Sequence, residues 1–144
     1  MYEFNGWFVL KESAEPKPGI GAERARIDAL TDRLSHYRWS ASRIDIVELD
    51  RQYCLRLTGM MHRNRGQSRE LHELIDVIAH DLPGSYGLLY EWSDEPDLNE
   101  PASAASAQAG SPNEGAFHVH VLEHGVVSER ADPFLSVPQP ALGG

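Results

Sequence analysis

The chain has 144 residues, with 13 Lys plus Arg against 22 Asp plus Glu, and carries a formal net charge of −9. This length predicts one domain, residues 1–144, and the single cysteine, Cys54, excludes an intrachain disulfide and an all-cysteine zinc site. No apolar run approaches the ~20 residues that span a bilayer, and Met1 to Gly6 carry no basic segment leading into an apolar core, so the expected compartment is a reducing cytoplasm.

The charge is unevenly placed. Up to Arg69 there are 12 basic and 9 acidic residues; from Glu70 onward Arg130 alone faces 13 acids, a net −12. Such an acidic half repels nucleic-acid phosphates and anionic lipid and attracts a basic protein. The expected partner is therefore a protein, with no nucleic acid and no membrane.

Asn5 to Glu12 predicts a first strand with apolar side chains on both faces. After the Pro/Gly stretch Pro16 to Gly21, Ile27, Leu30, Leu34 and Tyr37 recur at helical spacing and predict a helix from Ala22 to Tyr37. Arg43 to Leu49 and Tyr53 to Met61 read as a hairpin turning at Asp50-Arg51. The basic run His62 to Gly66 closes it as a loop.

The second helix has the clearest pattern: Leu71, Leu74, Ile75, Ile78 and Leu82 make one stripe, Ser68 is the expected N-cap, and Pro83-Gly84 stops it. Glu70, Glu73, Asp76 and Asp81 line its outer side. A strand follows from Tyr86 to Trp92, with Tyr86, Leu88, Tyr90 and Trp92 on one face and Gly87, Leu89 and Glu91 on the other. Residues 93–115 are small, polar and proline-bearing and read as a flexible loop. Phe117 to Glu123 predicts the last strand, with Phe117, Val119 and Val121 inward. Gly125 turns the chain, Phe134 and Leu135 anchor the tail, and residues 137–144 fray. The expected architecture is α+β: a two-layer β-α-β-β-α-β-β fold, with a mostly antiparallel sheet of about five strands and two helices on one face.

Three groups of residues bear on chemistry. His118 and His120 project to one face of their strand and His124 follows a turn; three imidazoles in reach of one another could hold zinc, which makes a small metal-binding domain or metal-dependent enzyme the alternative reading. Cys54 has no local nucleophile signature, and Gly84-Ser85-Tyr86-Gly87 is neither a phosphate loop nor a nucleophile elbow; its glycines suit a turn and close strand packing. Glu91, Trp92, Asp94, Glu95 and Asp97 place an aromatic among acids, the composition of a docking patch for a basic partner. The leading expectation is a binding protein with no catalytic residues, no cofactor and no metal.

Met1 to Trp7, then Pro83-Gly84-Ser85-Tyr86-Gly87-Leu88-Leu89-Tyr90, then Asp132-Pro133-Phe134-Leu135-Ser136 resemble, in this order and across nearly the whole chain, the immunity protein 7 family of bacterial polymorphic-toxin systems. Pro101 to Pro112 stands as an insertion in that pattern. The resemblance implies an α+β protein without enzymatic activity that binds and blocks the catalytic domain of a cognate toxin in competition between bacteria. A nuclease toxin with a basic, phosphate-binding cleft is the kind of partner an acidic surface fits.

Overall fold

The computed structural model describes residues 1–13, 20–94 and 117–131, apart from the side chains of residues 20–22 and 131. Eight elements follow in chain order: β1 (Tyr2–Leu10), α1 (Ile20–Leu34), β2 (Ser42–Leu49), β3 (Gln52–Met61), α2 (Gln67–Asp81), β4 (Tyr86–Ser93), β5 (Phe117–Glu123) and β6 (Val126–Ala131). The strands form one antiparallel sheet in the order β2-β3-β1-β4-β5-β6. The class is the expected α+β with one strand more: the chain that leaves Gly125 pairs back on β5.

The two hairpins turn in the same way. Asp50 and Arg51 both have positive φ (50° and 64°), as do His124 and Gly125 (52° and 75°). Two consecutive left-handed residues match the twist of the flanking strands. Gly125 is legible as such a residue, while Arg51 occupies its position against the usual preference for glycine.

The register fixes which side chains share a face. Phe4 lies opposite Gly59 and Glu91, and Phe8 opposite Leu55 and Gly87. On β5, Leu122 lies opposite Gly87 and His120 opposite Leu89. This face carries Tyr2, Phe4, Phe8, Leu10, Leu55, Leu57, Leu89 and Leu122 into one buried cluster with Ile27, Leu30 and Leu34 of α1 and Leu71, Leu74, Ile75 and Ile78 of α2. Both helices therefore cover the same face, and His118, His120 and Leu122 point toward them. This reverses the expectation for β5, where Phe117, Val119 and Val121 lie on the other face. The apolar alternation of β5 favours Phe117, Val119 and Val121, but the register with β4 sets His120 and Leu122 beside Leu89 and Gly87, and the carboxylates of Glu91 and Glu129 pair the two histidines on that face.

The helices start and stop close to expectation, with two differences. Helix α1 ends at Leu34, and Tyr37 reaches the core from the turn beyond it. The N-cap of α2 is Gly66, in the left-handed region at φ 93°, and not Ser68. Asn64 accepts the Ser68 N–H through Oδ1 at 3.2 Å, which releases the Ser68 hydroxyl for another partner. The loop of residues 93–115 and the tail of 137–144 lie, apart from Ser93 and Asp94, outside the described residues.

Candidate functional site

Among the described residues, the densest polar arrangement is buried, at the end of the sheet where β1 starts and β4 ends. Glu91 projects from β4 into the space beneath α2 and is 5% exposed. Its Oε1 accepts the Tyr2 hydroxyl at 2.5 Å and the Ser68 hydroxyl at 2.7 Å. Its Oε2 lies 2.6 Å from His72 Nε2 and 2.9 Å from His120 Nε2. An ionised carboxylate can only accept, so both imidazoles present N–H at Nε2. The two rings lie 4.1 Å apart between centroids. One carboxylate thus ties together β1, α2, β4 and β5.

The electrostatics follow from that set of donors. Burial pushes the Glu91 carboxyl up, but hydrogen bonds from His120 and His72, the charge interaction with His72 and the Tyr2 hydroxyl outweigh it and hold the group well below the ordinary carboxylate range. The group is an anion in the folded protein at neutral pH. An ionised carboxylate buried with four donors is satisfied; removing any of them leaves a charge partly unpaired.

The chemistry available to this cluster is limited by the same geometry. Ser68, His72 and Glu91 have the residue types of a hydrolytic triad, yet Ser68 Oγ (3.4 Å) and Glu91 Oε2 meet the same nitrogen of His72. A relay needs the acid on one ring nitrogen and the nucleophile on the other. The ligand atoms of His72, Glu91 and His120 lie within 4.8 Å of one another, a donor set of zinc-binding type. Each oxygen of the Glu91 carboxylate accepts two donors of this network.

The histidine triplet does not assemble. His118 Nδ1 pairs with Glu129 Oε1 of β6 at 2.8 Å, His120 is committed to Glu91, and His124 sits in the β5–β6 turn with its side chain 80% exposed. The strand period does place His118 and His120 on one face, but each meets a carboxylate from a different neighbouring strand. His72, which belongs to the network, gives no separate signal in the sequence beyond its spacing of four from Ser68.

The acidic patch is divided as well. Glu91 faces the helices, so it is no surface acid, and this corrects the expectation that it docks a partner. Trp92 lies on the opposite face, half-buried, with its ring 6.4 Å from that of Phe117. Asp94 is exposed and forms an ion pair with the N-terminal amine of Met1. Glu95 and Asp97 lie outside the described residues. Among the described residues, no helix is long and apolar enough to cross a membrane.

No curated protein and no solved structure matches the chain. The family model of immunity protein 7 matches residues 1–143, essentially the whole length. The segments that carry the resemblance in sequence also have structural work in this fold: Tyr2 donates to Glu91, and Gly87 lets β4 approach β1, since a Cβ there would lie 2.1 Å from the Trp7 carbonyl oxygen. With the family match over 1–143 and an α+β fold built around those segments, the chain belongs to the immunity protein 7 family.

Proposed function

We propose that the protein neutralises a cognate polymorphic toxin by binding its catalytic domain through an acidic surface, and that it acts by binding and not by catalysis. The observation that carries the reading is the family match over residues 1–143. The charge supports it: 13 acids against one base from Glu70 onward give the surface a field that a basic toxin domain, such as a nuclease with a phosphate-binding cleft, would follow. The lack of a relay geometry at Ser68 and His72 favours binding.

Trp92 and Asp94, together with Glu95 and Asp97, form the proposed docking patch, with Glu91 as the buried peg that holds the end of β4 in place. Glu73, Asp76 and Asp81 on the exposed side of α2 add to the same charge. Rim charges mainly speed encounter, whereas an anchor slows dissociation. Changing Asp94, Glu95 and Asp97 to Lys should lower the association rate with the inactivated toxin domain and flatten its salt dependence. Trp92→Ala should raise the dissociation rate by an amount worth about 2 kcal/mol. Association of the charge-reversed protein as fast as wild type at low salt would move the interface elsewhere.

A further inference from the structure

The acidic bias of the chain is reversed locally. A cleft of about 730 Å³ opens between the α1–β2 connection, the end of β3 and the start of α2. Arg38, His62, Arg63 and Arg65 line it, and among the described residues no carboxylate lines it. Three of the 13 Lys and Arg residues of an acidic chain thus converge on one concave surface. A fourth guanidinium, that of Arg69, lies beside Gly66 at the same end of α2. Arg38 and Arg65 are exposed and form no ion pair among the described residues. Trp39 and Met60 supply apolar wall.

We infer that this cleft is a second docking site, which receives an acidic segment of the toxin domain, its carboxylates paired with Arg38 and Arg65 and its apolar side chains against Trp39 and Met60. The inference rests on the immunity reading above and adds a second contact of opposite sign to it. Guanidinium groups pair carboxylates with forked geometry, and the exposed Arg38 and Arg65, with no ion pair among the described residues, favour an anionic occupant. The rest of the molecule decides the kind of anion. A nucleic acid is a uniform polyanion and would meet the remaining acidic surface, beginning with Glu73 and Asp76 on α2. A protein partner can present acids to the cleft and bases to the acids around it.

The test uses the full chain, a labelled peptide of alternating Glu and Leu as probe, and the inactivated toxin domain encoded beside the protein. Fluorescence anisotropy should show salt-sensitive binding of the peptide to wild type. An Arg38→Ala, Arg65→Ala double variant should bind it about tenfold more weakly with unchanged thermal stability, because both side chains are exposed. The toxin domain should displace the peptide from wild type and bind the double variant more weakly. Equal peptide affinity for wild type and variant, or tighter binding of a single-stranded oligonucleotide of the same charge, would overturn the inference. Toxin that binds without displacing the peptide would also overturn it and leave the immunity reading standing. Toxin that does not bind at all would remove that reading and, with it, the proposed occupant.

Discussion

At the residue scale, Glu91 shows how a side chain's role depends on what the strand next to it supplies. The alternation of β4 already puts Glu91 with Leu89 and opposite Trp92, so the two cannot share an exposed patch. What one sequence does not show is that Tyr2, Ser68, His72 and His120, separated by up to 118 positions, all arrive at that carboxylate. The network makes a definite prediction. Glu91→Gln replaces two acceptor oxygens with one and sets an amide N–H among donors, so unfolding by urea should show a loss of about 2 kcal/mol or more. The pH dependence has a fixed sign. The folded-state pKa lies below the unfolded value, so the stabilisation is complete above the ordinary carboxylate range and is lost as pH falls through and below it. The wild-type stability should therefore fall below about pH 4 with a slope that Glu91→Gln reduces. An identical slope in both proteins would mean that Glu91 is not held as an anion by these partners.

At the scale of elements, periodicity made most of the fold legible. The stripes of α1 and α2 became their buried faces, and the Asp50-Arg51 turn joins the strands it was expected to join. Strand β6 escaped because Val126 to Ala131 has little apolar alternation and is an edge strand, held by backbone pairing to β5 with Val127 packed against the core. The cap of α2 escaped because Ser68 is the better cap by residue type, while Asn64 and Gly66 are the cap in fact. The turn at Arg51 offers a test of element energetics. Both turn residues are left-handed, and glycine adopts that conformation without a Cβ penalty. Arg51→Gly should raise stability by about 0.5 to 1 kcal/mol in thermal or urea unfolding, because relief of the left-handed strain exceeds the entropy that glycine adds to the unfolded chain. A loss of stability would mean that the arginine side chain contributes more across the β2–β3 hairpin than its backbone strain costs.

At the scale of the whole molecule, the family match supports the proposed binding role, with the acids concentrated from Glu70 onward in the sequence and an arginine-lined cleft beside the start of α2. The acidic half was visible in the charge count, whereas the cleft was not. Arg38 and Arg65 are 27 positions apart in the chain and meet only because β2, β3 and the loops at their ends fold together. Direct binding of a toxin domain is read by calorimetric titration of wild-type protein with the inactivated toxin domain encoded beside it, repeated at low and high salt. The two proteins should form a saturable complex of fixed stoichiometry whose affinity weakens as salt rises. No heat of binding at either salt concentration, with both proteins shown to be folded, would contradict it.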